Sequence, residues 1–405
     1  MVKNLPALPD TNQNFWQLTS IQVMTYGLPC ILMGPQIAKT IGLGAACSSI
    51  FIGNLVLWIV GIGMILMSSE GRPNAIQNIR NYFGWMGAFI GNIVLGLTFL
   101  VWYSINLEYV VSALDAIFPK HFYLAHYFGI ALGVLIAALS VGGIVLIRKV
   151  CVAAFAFILC LFFVSLFLFE SVFVFDGFKF SLLGTVSVIL VSFSGQVNLP
   201  TFFRHSRSKA DSILALTLIT VIVALFQFFA IISGFFLKFN GSVNFFDCDN
   251  FCFLFSFAYV VLITICANLN NIYFSSAVLE FFFPRAKRWW GYLSIGVLGS
   301  LIYALFASSK LLYSMENLIV LVILNLTIVL LMTFMCKMFV KYNPNLVEKF
   351  ANNVCWFFGC FIGFAVSKSS ALESYESFYS GLVAAILCFI FFLFIEKVTV
   401  SIRSL

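Results

Sequence analysis

Charge is what this sequence lacks most. Of its 405 residues only 9% are charged, against 62% hydrophobic, and mean hydropathy is +1.08. Soluble domains carry about 25% charged residues, so the composition excludes a soluble globular protein and describes a polytopic membrane protein. Catalytic groups are scarce as well. The three His residues, His121, His126 and His205, stand at the ends of apolar runs. The runs hold no His pair, paired carboxylates or metal-ligand cluster, and the chain has no Gly-rich nucleotide loop. An enzyme is therefore not expected, nor is a cofactor or metal. A basic-then-apolar signal pattern is missing too: Met1 to Phe15 is polar, with Pro6 and Pro9, so the first span is expected to act as its own insertion signal.

Cysteine, by contrast, is present but diffuse. Nine of eleven Cys lie inside apolar runs, where a thiol behaves as a small hydrophobe. Only Cys248 and Cys252 share a polar stretch, as a disulfide candidate or an incidental pair.

A bilayer core needs about 20 apolar residues per helix. That length predicts about twelve spans, near 18–43, 46–68, 84–113, 123–147, 150–169, 181–203, 212–237, 253–283, 289–308, 314–338, 353–367 and 375–396. Basic residues cluster after each even-numbered span: Arg72 and Arg80; Arg148 and Lys149; Arg204, Arg207 and Lys209; Arg285, Lys287 and Arg288; Lys337, Lys341 and Lys349; Lys397 and Arg403. The opposite loops mix single lysines with acidic residues. By the positive-inside rule both termini are expected in the cytoplasm, with the chain in the cytoplasmic (inner) membrane. The net charge of +7 is then topological, and nucleic acid is not an expected partner.

Two spans carry interruptions. The sixth runs into Ser192-Phe193-Ser194-Gly195-Gln196-Val197-Asn198-Leu199-Pro200, with a Gly, a Gln and an Asn within five residues at hydrocarbon depth and a Pro that removes a backbone donor. The first reads Gly27-Leu28-Pro29-Cys30-Ile31-Leu32-Met33-Gly34-Pro35-Gln36-Ile37-Ala38-Lys39. Freed backbone groups at that depth are tolerated where they line a cavity. Breaks five helices apart are what a five-plus-five inverted repeat requires. The expected organisation is a tail (1–17), a first repeat (18–169), a second (181–338), two further helices (353–396) and a tail (397–405).

Further polar groups lie at membrane depth. Phe99, Trp102 and Asn106 share one face of the third span, where a flat ring beside an amide suits a planar heterocycle. Thr264, Asn268, Asn271 and Ser275 form a stripe on the eighth, with Asn270 and Tyr273 beside it; three Asn so close are costly in lipid unless partnered. Away from the very edges of the spans, the intramembrane charges are Lys39, Glu108 and Glu280, with Glu108 and Glu280 toward span ends, where solvation is easy.

These residues carry a resemblance. Asn198-Leu199-Pro200-Thr201-Phe202-Phe203-Arg204 resembles the asparagine-x-proline-aspartate-phenylalanine-threonine-arginine signature of the nucleobase–cation symporters, in the amino acid–polyamine–organocation superfamily. Arg80-Asn81-Tyr82-Phe83-Gly84, leading to Trp102, resembles that family's arginine-x-x-phenylalanine-glycine segment. Ile52-Gly53-Asn54 and Asn268 to Ser275 look most like the cytosine permeases. The likeness spans roughly residues 20 to 300. It implies an all-α, LeuT-type inverted-repeat fold with discontinuous helices 1 and 6, and a monomeric permease moving a nucleobase-like solute by alternating access. Under it, Trp102 and Phe193 would stack on the solute beside Phe99 and Asn106. Ser194, Gln196, Asn268, Asn270 and Gln36 would read its edges. Coupling to protons or sodium would fall to Met33, Lys39 and Asn271, with exchange of solutes the other mode. The chain departs from the family pattern at Thr201, in place of the aspartate, at Phe99, in place of an amide, and at Cys266 and Ala267, where hydroxyls help hold sodium. An amino-acid transporter of the same fold is the alternative, with a channel or an intramembrane enzyme more remote.

Overall fold

The computed structural model describes residues 13–69, 71–117, 122–168, 177–232, 250–283, 288–307, 310–340, 346–368, 380–391 and 393. Its helices are α1 (Phe15–Ile41), α2 (Leu43–Met67), α3 (Ala75–Ile117), α4 (Phe122–Ser140), α5 (Gly143–Leu168), α6 (Leu182–Gln196), α7 (Leu199–Phe203), α8 (Lys209–Ile232), α9 (Asn250–Phe282), α10 (Arg288–Phe306), α11 (Lys310–Val340), α12 (Leu346–Ser367) and α13 (Ser380–Phe391). Among the described residues, nine helices are long and apolar enough to cross a membrane. Cys248 and Cys252 lie outside the described residues and side chains.

Local chemistry sets the helix ends. Asn14 accepts the amide of Gln17 at 3.0 Å while the Gln17 side chain accepts the Asn14 amide at 3.3 Å, a reciprocal cap that starts α1. The sixth span is interrupted: α6 stops at Gln196, Val197 and Asn198 form a turn, and α7 resumes with Pro200 in its first turn, where a missing amide hydrogen forfeits no bond. α3 bends at Gly84, whose φ of 73° needs a residue without a Cβ. The bend frees the Tyr82 and Phe83 carbonyls, which accept Asn352 and Asn353 of α12, each at 2.8 Å.

Two sequence expectations are corrected. The first helix is not discontinuous: α1 is helical from Phe15 to Ile41, through both prolines. The neighbouring helix braces it there. Gln227 of α8 donates to the Cys30 carbonyl at 3.0 Å and accepts from Asn54 of α2 at 2.7 Å, so side chains satisfy backbone that a break would have left to solvent. Gly34 lets α8 come this close, since a Cβ there would lie 2.5 Å from the Gln227 carbonyl oxygen. The fourth span also ends earlier than its apolar run. The chain turns at Val141–Gly142 and α5 starts at Gly143 (φ 63°), which puts Arg148 and Lys149 inside α5 and not in a connecting loop.

Helices α3 and α9 pack along their length, as do α1 with α8, α2 with α6 and α4 with α10. α1 also touches α5, α6 and α9. The place where α1, α3, α6 and α9 meet is the site considered next.

Candidate functional site

The polar stripe of α9 is spent mostly on α3. Thr264 donates to the Asn106 carbonyl at 3.3 Å and Ser275 to that of Gly96 at 3.3 Å. Between them Asn268, fully buried, donates to the Tyr103 carbonyl at 3.1 Å. A backbone carbonyl can only accept, so this contact fixes which end of the Asn268 amide is which. Its oxygen faces the other way and accepts Asn106 Nδ2 at 3.1 Å and Asn271 Nδ2 at 3.2 Å. Asn106 and Asn271 thus turn their nitrogens to Asn268 and keep their carbonyl oxygens for whatever lies beyond.

Beyond them is a cavity with about 40 Å³ of room for water centres, bounded by Gln22, Thr25, Tyr26 and Cys30 of α1, Phe99, Trp102 and Asn106 of α3, Val191, Ser192 and Gly195 of α6, and Asn271 of α9. One water needs about 10–15 Å³ on this measure, so the space holds a few waters and must widen for a heterocycle. None of these residues is charged. Three rings (Tyr26, Phe99 and Trp102) line the space. Trp102 is half-buried, and no ring or hydrogen-bond partner occupies it among the described residues. Gln22 brings Nε2, buried without a hydrogen-bond partner, as a donor. The Thr25 hydroxyl is tied to the Ile21 carbonyl at 3.0 Å, and Ser192 sits 3.6 Å from the Cys30 sulfur. The wall therefore offers acceptors from α3 and α9, a donor from α1 and flat apolar faces.

Four of the residues singled out from sequence come together here: Phe99, Trp102, Asn106 and Asn271. The others stand elsewhere. Asn268 is behind the wall, its hydrogen bonds used within the protein. Asn270 points to α1 and α5, donating to the Ile21 carbonyl at 3.2 Å. Phe193 packs with Leu57 and Leu324, on the side of α6 away from the cavity, because its neighbours Ser192 and Gly195 take the inward positions. Gln196 acts at one remove, donating to the Tyr26 hydroxyl at 2.8 Å. The Ser194 side chain lies outside those described. Met33 packs against the cluster of Ile37, Ala38, Ala46, Ile50, Val188 and Ile231, and Gln36 is off the cavity lining. Lys39 is exposed in the last turn of α1, about 13 Å along the helix from Cys30. There an ammonium is favoured by the helix C-terminus and solvated, and it does not reach α9.

The α1 residues were not singled out. Their signal was legible: Gln22, Thr25, Tyr26 and Cys30 fall at i, i+3, i+4 and i+8, one face of a helix.

Toward α7 the cavity is closed by rings. Phe99 packs on Phe274 (4.8 Å between centroids), Phe274 edge-on to Phe202 (4.8 Å) and Phe202 on Tyr273 (5.0 Å). The Tyr273 hydroxyl lies 3.0 Å from His205 Nε2. A backbone strap covers this end: Gln13 donates to the His205 carbonyl at 3.1 Å and accepts the Arg207 amide at 3.0 Å. Arg72 donates to the carbonyls of Arg204 at 3.4 Å and Ser206 at 3.1 Å.

The sequence matches no protein-family model and no curated protein. Solved structures do match. Mhp1, a nucleobase-cation-symport-1 family transporter in a closed conformation with bromovinylhydantoin bound, is 15% identical over 97% of this chain and 96% of its own, with a TM-score of 0.69. A substrate-bound, outward-open Na+-coupled sialic acid symporter is 13% identical, covering 95% of this chain and 90% of its own, at 0.74. MhsT in complex with L-phenylalanine is 12% identical, covering 95% and 99%, at 0.61. At such identities the likeness is one of architecture. The chain is a multi-pass, all-helical membrane protein with the LeuT-type fold of these structures.

Proposed function

We propose that this protein is a secondary transporter that carries a small planar nitrogen heterocycle, of the nucleobase or cyclic-ureide kind, by alternating access. One observation carries the reading: the amide oxygens of Asn106 and Asn271, held by Asn268, stand beside the open face of Trp102 in an uncharged cavity. A heterocycle with N–H groups on one edge would meet these acceptors, its carbonyl would take the Gln22 amide, and its face would lie on Trp102. The hydantoin bound by Mhp1 has that chemistry. The reading agrees with the purine and cytosine permeases that the α7 and α9 motifs resemble. Helices α1 to α5 form one repeat and α6 to α11 the other, inverted, with both termini in the cytoplasm of a cell whose inner membrane houses the chain. Each copy holds a complete site and acts as a monomer.

The alternative solute, a zwitterionic amino acid, is disfavoured by the same cavity. Its carboxylate would need a cation or the exposed amides of a half-helix N-terminus. The lining has no charge, and α1 is unbroken beside it.

The test is uptake of labelled cytosine, adenine, uracil and hydantoin into proteoliposomes, with unlabelled bases and amino acids as competitors. Saturable uptake inhibited by one or more bases and unaffected by amino acids is expected. Competition by an amino acid alone would overturn the assignment.

A further inference from the structure

A second polar group lies on the face of α3 turned from the cavity. Three helices are locked in register there. A Cβ on Gly133 of α4 would lie 2.5 Å from Ser300 Oγ and 2.9 Å from Leu107, and one on Gly129 would lie 2.9 Å from the Tyr303 hydroxyl and 2.5 Å from Val111. Stepping one turn along α4 therefore advances α3 from Leu107 to Val111 and α10 from Ser300 to Tyr303, so α3 and α10 run parallel. Ser104 donates to the Gly299 carbonyl at 3.0 Å; one turn further on each helix stand Glu108 and Tyr303. That register turns Glu108 to the side of α3 that faces α10 at Tyr303. The Tyr303 hydroxyl is 3.1 Å from His126 Nδ1, with the two rings 5.2 Å apart.

The row runs from a half-buried ring to two buried groups. His126 is half-buried, Tyr303 is fully buried and Glu108 is 7% exposed. A carboxylate so buried in protein is costly as an anion unless partnered, and an ionisable group within a span is a candidate functional group. The phenol and imidazole on this side of Glu108 are groups that pass protons, and an imidazole is a poor ligand for a hard cation.

We propose that Glu108 is a reversible proton-binding site served by Tyr303 and His126, and that its proton is the one that drives solute movement. The driving role rests on the transport reading above; the proton site itself does not. A proton from water is taken by the His126 ring, the ring gives a proton to the Tyr303 oxygen as that hydroxyl releases its own to the Glu108 carboxylate, and the reverse sequence empties the site. Among the described residues, the ionisable groups on the helices packed around this row include Tyr103, Tyr109 and Asp115 on α3, Tyr259 on α9 and the exposed Tyr123 and Tyr127 on α4. Tyr103 links the row to the solute site. Its hydroxyl donates to the Gly133 carbonyl at 2.6 Å in the same layer, and its own carbonyl holds Asn268.

Infrared difference spectra of the full-length protein in lipid, titrated with pH, test the site without any solute. A protonated-carboxyl carbonyl band that titrates in the native protein and is lost in Glu108→Gln is expected; a band unchanged in that variant, or no titrating band, overturns the proposal. Proteoliposomes given labelled cytosine test the coupling. Glu108→Gln should retain cytosine exchange at a rate within about two-fold of native and lose accumulation driven by a pH gradient. His126→Gln should keep the infrared band and slow gradient-driven uptake about ten-fold. Native-like accumulation by Glu108→Gln, or loss of exchange as well, rejects the coupling role. Absence of cytosine transport by the native protein while the Glu108 band persists would count against cytosine as the solute and leave the proton site supported.

Discussion

Asn268 Oδ1 lies 3.1 Å from Asn106 Nδ2, a bond wholly inside the protein that decides which end of Asn106 a ligand meets. Replacing Asn268 by Leu removes that bond and strands the side-chain amides of Asn106 and Asn271. Each buried polar group left unsatisfied costs about 1–3 kcal/mol, so both melting temperature and affinity should fall, affinity by more than ten-fold. Asn106→Leu removes one cavity acceptor and leaves Asn268 Oδ1 its bond from Asn271, so it should weaken binding about two- to ten-fold, at about 0.5–1.5 kcal/mol, with a smaller change in melting. Isothermal calorimetry beside thermal melts distinguishes the two. Unchanged affinity in Asn268→Leu would show that the oxygens of Asn106 and Asn271 are not held as described.

Trp102 and Phe193 were equal stacking candidates by sequence, and the structure separates them. Base–aromatic stacking is worth about 1–3 kcal/mol, so Trp102→Ala should weaken heterocycle binding roughly five- to hundred-fold. Phe193, packed on Leu57 and Leu324, should behave as a core residue. Its change to Ala should cost about 3–5 kcal/mol of stability and leave affinity within two-fold of native. Binding measured at a temperature where both variants are folded checks this.

The sequence disclosed the architecture more fully than the site, for reasons that differ by residue. Span length and basic clustering depend on bilayer thickness and charge cost, which act on each helix alone, so most helices could be read one at a time. The break after Gln196 was readable because Gly195, Asn198 and Pro200 act locally. The first helix misled because its continuity depends on Gln227, nearly two hundred residues away. Asn268 looked like a ligand reader since an intramembrane Asn must bond to something, and only the fold reveals that its partners are Tyr103, Asn106 and Asn271. Phe193 turned out to face away because the α6 face is set by its packing on α2 and α11. Gln22 and Tyr26 were overlooked beside the louder Gly and Pro pattern that follows them.

Two glycines near the cavity should respond in opposite ways to the same change. At Gly34 an added methyl would lie 2.5 Å from the Gln227 carbonyl oxygen, a backbone atom. Gly34→Ala must therefore push α1 from α8, at about 1–3 kcal/mol, with a lower melting temperature. At Gly195 the nearest atom to an added methyl is Tyr26 Cε1 at 4.0 Å. Gly195→Ala should melt like the native protein yet narrow the cavity it lines, weakening the larger purines more than cytosine. Melting curves and a binding series across base sizes decide it; equal melting of the two variants would contradict the close approach of α1 and α8.

The strap over the α7 end gives a prediction independent of the solute. Arg72 reaches the carbonyls of Arg204 and Ser206, and Gln13 bonds the backbone on either side, so segment 204–207 is held from two directions. Hydrogen bonds from a charged donor contribute about 1.5–3 kcal/mol. Arg72→Gln should then speed amide exchange of Arg204, His205 and Ser206 roughly ten- to hundred-fold, while the core of α9 exchanges as before. If the strap closes the path below Phe274, Phe202 and Tyr273, the same variant should expose Thr201→Cys to a membrane-impermeant thiol reagent added from the strap side. Protection of that cysteine equal to the protection seen with Arg72 intact would mean that the rings alone close the path and that Arg72 contributes only to the loop.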